Sequence, residues 1–453
     1  MALPATLVWE NRPTNGTANA GGGFDPSVAS PGTDFSQQDA VQVAYTDLVI
    51  DAVTNTDITS AASPFGATAV GNNITITSGT GFTAGIYNIR SVSGVIATMD
   101  RAVGTVGSTG GVGNLGGARS GFTVGTTTLE ASLVAGNTVW VKKEAWNESP
   151  NFTVAGTAAA PIIIEGYNAV RGDAPTGANR PTNDRAGVGT VAFTMGATGY
   201  IVKHLIAKSA GTVGFSQAGG ASVIFLNCRA TANGSDGWFN GSLVHLIQCE
   251  ADANTGKGVN ASSGTFSIVG SNLHDNTSNG FNTTSNVGLI CAHSLVEANG
   301  ATGILHTGTT AYGLLTNLTV DGNTGASSDG FSTGSNIARR VAMNCIFSNN
   351  GRYGWTSTAG NASWADFNDY FGNATAARDG GVMTGAGDSA ADPTFTNRAA
   401  GDFSIGTNLK ALGFPGLFPG GLSTGYLDIG AVQRQEPAGG SGGGPLIGGR
   451  LVN

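Results

Sequence analysis

Six residues recur at one offset along residues 231–348: Thr231, Asp252, His274, Glu297, Asp321 and Ser348. Each stands two positions before a recurring asparagine, namely Asn233, Asn254, Asn276, Asn299, Asn323 and Asn350. If consecutive members sit on neighbouring strands, their backbones lie ~4.8 Å apart. Glu297 and Asp321 then approach the ~5–5.5 Å carboxyl separation of a retaining glycosidase. Asp252 and Glu297, two strands apart, suit the wider inverting geometry. Crowded like charges would raise one carboxyl pKa and so supply an acid. Asp252, His274, Glu297 and Asp321 are therefore the catalytic candidates. The competing expectation is a strand face that is polar only because water bathes it, and the sequence favours this one.

Other chemistries find less support. His204, His245, His274, His293 and His306 are dispersed singly, with no H-E-x-x-H spacing, so no metal site is expected. Cys228, Cys249, Cys291 and Cys345 form no C-x-x-C pair. The glycine runs lack the following Lys-Thr and helix of a phosphate loop, and no cofactor is expected. Trp238, Trp355, Trp364 and Tyr353 could serve as sugar platforms, but Trp238 and Trp355 follow a recurring glycine and are expected in the core. No glycan-binding residue is assigned.

The elements that must position these residues are set by a repeat. Gly-bulky pairs at Gly214-Phe215, Gly237-Trp238, Gly258-Val259, Gly280-Phe281, Gly303-Ile304, Gly330-Phe331 and Gly354-Trp355 are spaced by 23, 21, 22, 23, 27 and 24 residues. Five of the asparagines lie four residues before the glycine. Asn323 lies seven before, as a three-residue insertion would give. Asparagine tolerates left-handed backbone at a tight turn, and amides stacked one strand apart can bond along the axis. Five residues before the asparagine runs the column Cys228, Cys249, Ser271, Ser294, Leu318, Cys345. Three before runs Ala230, Ala251, Leu273, Val296, Val320, Phe347. Both are small or apolar, as inward positions of a strand should be, and the cysteines read as core residues. Apolar residues at helical spacing are missing, and a propeller blade would need a period of ~40 residues. The expected fold is all-β, a right-handed parallel β-helix with coils of roughly 22 residues.

Bulk composition agrees with this. The chain has 453 residues, 73 of them glycine, 40% hydrophobic and only 11% charged, with net charge −8. There is no Gly-X-Y period and no basic stripe, which argues against collagen and against nucleic acid as a ligand. No apolar run reaches membrane-span length, so no membrane partner is expected. The opening MALPATLVWENRP has neither the basic nor the apolar segment of a secretory signal, and no export signal is expected there.

Along the chain, residues 1–45 read as an extended arm and 46–117 as a small β domain. Its strands are expected at Asp47–Val53, Asn73–Thr77 and Ile86–Met99, the last broken at Ser93-Gly94, with Gly104–Gly117 as linker or turns. The β-helix is expected over 118–390, a closing segment over 391–435 and a flexible Gly-rich tail over 436–453. The run SLVAGNTVWVKKEAWNESPNFTVAGTAAAPIIIEGYN (Ser132–Asn168) resembles the first coils of bacterial polysaccharide-lyase-like parallel β-helix proteins. Gly136-Asn137 replaces that family's Gly-Asp, and Glu144-Ala145-Trp146 replaces its Gly-x-Tyr turn, so the calcium site the Asp implies is not carried over. ADPTFTNRAAGDFSIG (Ala391–Gly406) and LDIGAVQ (Leu427–Gln433) resemble the closing segment of such proteins. The resemblance spans roughly Leu133 to Gln433 and implies fold more than chemistry. Its lyases imply calcium-binding acids beside a basic residue. Arg339-Arg340 is the only basic pair in the clear coils, and no acidic cluster shares its coil.

The functional expectation is a non-catalytic structural protein on a bacteriophage virion exterior, of decoration, fibre or spike type, contacting host surface polysaccharide. Resemblance to tailspikes and fibres implies a homotrimer. Other virion proteins are expected partners through the terminal arms. A tailspike-type or secreted polysaccharide depolymerase is the first alternative, and an extracellular bacterial adhesin the second.

Overall fold

A computed structural model describes residues 3–433, apart from 218–219, 221, 242, 284, 286, 309–311, 335–338, 358–362, 380, 411 and 415–427. The tail expected over 436–453 lies outside the described residues. Contacts divide the chain into two units, Met1–Arg185 with Ala192–Ile206, and Ala186–Val191 with Ala207–Asn453.

In the second unit each coil contributes three short strands, and each strand pairs in parallel with its counterpart in the next coil. The first sheet runs Val223–Leu226, Val244–Ile247, Thr265–Val269, Gly288–Ala292, Tyr312–Thr316, Arg339–Met343, Ser363–Asp366 and Val382–Met383. The second runs Arg229–Thr231, Glu250–Asp252, Asn272–His274, Leu295–Glu297, Thr319–Asp321, Ile346–Ser348 and Asp369–Phe371. The third begins at Phe215–Gln217 and ends at Ala376–Arg378. This is a right-handed parallel β-helix.

The columns read from the repeat are physical. Ala230, Ala251, Leu273, Val296, Val320 and Phe347 are the fully buried middle residues of the second-sheet strands. The column of Cys228, Cys249, Ser271, Ser294, Leu318 and Cys345 is also fully buried. It occupies the corner before the strand rather than the strand itself. That corner suits small polar groups, because Ser271 and Ser294 accept from backbone N–H groups of Cys249 and Ser271. Trp238 and Trp355 are buried, stacked or tilted against Phe215 and Phe331 at 5.2 and 5.0 Å. Such pairs add about 1 kcal/mol each beyond burial.

The asparagines form one continuous ladder. Each Nδ2 donates to the Oδ1 of the next, from Asn233 to Asn254, Asn276, Asn299, Asn323, Asn350 and on to Asn373, at 2.8 to 3.0 Å. Each Oδ1 also accepts the previous asparagine's backbone N–H, as Asn276 does from Asn254 at 3.2 Å. The left-handed residue is the one before, at Ala232, Ala253, Asp275, Ala298 and Asn349, with φ of 50 to 54°. The expectation that asparagine itself takes the left-handed turn is therefore corrected. Its side chain turns inward to bond, and the sharp bend falls one residue earlier. The anchor glycine has a steric reason: a Cβ at Gly258 would lie 2.6 Å from the Gly280 carbonyl oxygen and 3.0 Å from Asn276 Nδ2.

Beyond Asp369–Phe371, Ser389 bridges Asp369 as one more parallel rung. The chain then doubles back along the outward side of the second sheet. Ile405, Leu409 and Ile429 pack on Ile346, and Ala431 N–H donates to Thr319 Oγ1.

In the first unit, Thr138–Lys142, Ile162–Tyr167 and Tyr200–Lys203 stack in parallel. Val8–Asn11 adds a further parallel strand beside Thr138–Lys142, and it pairs antiparallel with Gly23–Phe24. Residues 1–45, expected as an extended arm, thus supply a strand to this stack. Leu7 and Trp9 are fully buried, and Trp9 Nε1 donates to Asn137 Oδ1. Buried Glu10 bonds Arg12, Arg171 and Tyr167. The small β domain is a closed barrel of Val43–Ile50, Asp57–Thr59, Ile96–Met99, Gly85–Ser93, Asn73–Ser78 and Gly111–Leu115, in that order. Gly104–Gly117 is consequently not just a linker. Its residues Gly111–Leu115 pair with two strands, and Leu115 is buried. Among the described residues no helix is long and apolar enough to cross a membrane.

Candidate functional site

The outward face of the second sheet carries the ionisable residues. Strand alternation puts two columns there: Thr231, Asp252, His274, Glu297, Asp321, Ser348, and Arg229, Glu250, Asn272, Leu295, Thr319, Ile346. The second column was not singled out from the sequence, although the same alternation marks it. It supplies Arg229 and Glu250, which decide how the candidates behave.

Asp252 is clasped by Arg229, Nε to Oδ1 and Nη2 to Oδ2, both at 2.7 Å, and it accepts from Thr231 Oγ1 at 2.8 Å. Both carboxylate oxygens are thus engaged, and Asp252 is buried rather than bathed in water. His274 bridges Glu250 at 3.3 Å through Nε2 and Asp275 at 2.8 Å through Nδ1. Burial opposes its charge, but the hydrogen bonds to Glu250 and Asp275 and the Asp252 charge outweigh that and push its pKa up to about 9. Donor atoms of Glu250, Asp252 and His274 lie within 4.8 Å of one another. A dication does not fit this trio as it stands, because the Arg229 guanidinium already holds both oxygens of Asp252.

Glu297 and Asp321 stand on adjacent rungs, as the spacing requires, yet their surroundings differ. Glu297 is half-buried. Burial first, then the Asp275 and Asp321 charges, push its pKa up, against the pull of His274 and Asn272. Asp321 is fully enclosed. It accepts from Ser348 Oγ at 2.6 Å and Asn349 Nδ2 at 2.9 Å, and it pairs with Arg398 of the returning C-terminal segment. The solvated face expected for this column is therefore open only in part: Thr231, His274 and Glu297 are partly exposed, whereas Asp252, Asp321 and Ser348 are buried. Arg398 lies 77 residues from Asp321, and no spacing signal links them.

The remaining residues singled out from the sequence do not converge. Trp364 is part-exposed on the first sheet, whereas Tyr353 belongs to the third, its ring 5.2 Å from the Arg352 guanidinium. Arg340 is fully buried and donates to His306 Nδ1 and to the His306 and Gly308 carbonyls, while Arg339 is exposed. Strand alternation splits that basic pair between inside and outside.

The His274 network has a measurable pH signature. A histidine whose pKa is raised on folding contributes stability fully below about 6.5 and loses it as pH rises through about 9. Thermal melts from pH 6 to 10 should show a decline in wild type that His274→Gln flattens. Equal slopes in the two proteins would mean that His274 is not charged in the fold.

No protein-family model matches the chain, and no curated protein matches it. Among solved structures, pectate lyase Pel9A aligns over 70% of this chain and 93% of its own, at 15% identity and a TM-score of 0.53. The periplasmic alginate epimerase AlgG covers 57% of this chain and 76% of its own, at 11% identity and a TM-score of 0.36. The A-module of Azotobacter vinelandii mannuronan C-5 epimerase AlgE6 covers 57% and 91%, at 14% and 0.34. The two epimerase alignments are too loose to bear on function. The likeness to Pel9A concerns backbone architecture alone, and that architecture is the right-handed parallel β-helix.

Proposed function

We propose that this protein is a non-catalytic structural component of a bacteriophage exterior, of decoration, fibre or spike type, assembled with copies of itself and other virion proteins and contacting host glycans. The observation that carries the reading is the engagement of the outward acids. Asp252 is held by Arg229 and Asp321 by Arg398, so neither is free to act as nucleophile or base. The solenoid supports it too, since backbone bonds repeated at every coil suit a part exposed to mechanical and chemical stress. All four cysteines are buried thiols rather than bridges, which suits assembly in a reducing cytoplasm.

A depolymerase is the second reading, favoured by Glu297, whose raised pKa beside the charged His274 resembles an acid in waiting. One experiment separates the two. The protein is incubated with a panel of bacterial capsular polysaccharides, and reducing ends and unsaturated products are followed. The structural reading expects neither from wild type, together with immunogold label on purified particles. Products that disappear in Glu297→Gln would establish the enzyme instead.

A further inference from the structure

The first sheet of the second unit presents an outward face unlike the second sheet's. Its register aligns Ile290, Leu314, Val341, Trp364 and Met383 in one column, one residue per coil. Leu314 is 41% exposed and Met383 55%, with Ile290 and Trp364 each at 37%. The neighbouring outward column includes Ile247, Val269 and Met343. In these two columns only His245 and Asp366 are ionisable. Flanking the face, Tyr312 is half-exposed, its hydroxyl 3.2 Å from Thr265 Oγ1. Contiguous exposed apolar surface of this kind marks an interaction site.

From this face we infer that the protein self-associates, packing its first sheet against the first sheet of a second copy. Three physical points select that occupant. The side-chain ridges repeat at the ~4.8 Å pitch of the coils, and a second copy supplies grooves of the same pitch. Eight rungs, with strands of about four residues, make a face of roughly 35 by 14 Å, so two faces bury about 1,000 Å², the lower bound of a specific interface. The columns are mostly aliphatic, with few hydrogen-bonding groups. This matches the apolar character of self-association interfaces and poorly matches a sugar, which needs donors and acceptors beside its ring faces.

The inference deepens the assembly reading above and rests on it, but its test is separate. Size-exclusion chromatography with light scattering at ~10 µM should give wild type at least twice the 45.2 kDa chain mass. Leu314→Glu with Trp364→Glu should return it to one chain mass with an unchanged melting transition, since both side chains point outward. A monomeric wild type, or a variant that stays oligomeric, overturns the proposed face. Should the charged variant lose its melting transition, Ser267→Cys provides the second measurement, because Ser267 lies in the same column and the native thiols are buried. A thiol-specific bifunctional cross-linker whose arm spans the face should then link two chains, and a chain that stays monomeric on a denaturing gel would overturn the face. Particle labelling that fails while self-association holds would remove the virion reading and leave the interface intact.

Discussion

Asn276→Ala is expected to lower the unfolding free energy by about 3–6 kcal/mol. Asn276 Nδ2 donates to the Ala251 carbonyl at 3.0 Å and to Asn299 Oδ1 at 3.0 Å. Its Oδ1 accepts from Asn254 Nδ2 at 2.8 Å and from Asn254 N–H at 3.2 Å. Alanine leaves the Ala251 carbonyl and the two Asn254 donors short of a partner inside the stack. Each buried group so abandoned costs about 1–3 kcal/mol. Asn373 ends the ladder and is partly exposed, so water can reach the two Asn350 donors and the Phe347 carbonyl that alanine would abandon, and Asn373→Ala should cost less, about 1–3 kcal/mol. Guanidinium denaturation followed by circular dichroism, with hydrogen exchange on residues 249–299, reads both. Equal, small losses at the two positions would show that the ladder contributes little.

The second large effect is a pH-dependent one at Asp369. This residue is fully buried on the second sheet, accepts from Ala391 N–H at 3.0 Å, and has no hydrogen-bond partner for Oδ2 among the described residues. Burial, with the Asp388 and Asp392 charges, pushes its pKa up to about 7 despite hydrogen bonds from Ser389 and Ala391. A carboxyl raised on folding binds its proton more tightly in the native state. It therefore costs nothing below the ordinary value of 3.8, and its penalty grows as pH rises toward 7. A shift of that size corresponds to an upper limit of about 4 kcal/mol. Asp369→Asn should accordingly stabilise the protein by about 2–4 kcal/mol at pH 8 and scarcely at all at pH 4. Melting curves of both proteins across that range decide it. A variant destabilised at pH 8 would mean the carboxylate is ionised and well solvated in the fold. Because Ser389 and Ala391 lead into the returning segment, ionisation of Asp369 is also expected to loosen that segment to proteases.

The ladder was legible because it obeys a strict offset and because stacking forces identical residues into bonding range. The inward columns were legible for a related reason, since a three-residue strand buries its middle residue in every coil. The barrel was only half visible. Asn73–Ser78 follows from β-branched alternation, but Asp57–Thr59 is too short to carry a pattern. Gly111–Leu115 reads as a turn-rich stretch because glycine is ordinarily depleted in strands. Residues 1–45 lack periodicity, and nothing local shows that Val8–Asn11 will pair with a strand 130 residues later.

Repetition along the chain determined the coil, its corner residues, its core and the line of asparagines, because those depend on spacing between neighbouring turns. Only the folded molecule decided which outward acids stay available. Arg229 reaches Asp252 across one rung, and Arg398 reaches Asp321 from a segment that doubles back. Charge pairing of this kind depends on where distant backbone passes, and periodicity carries no record of that path.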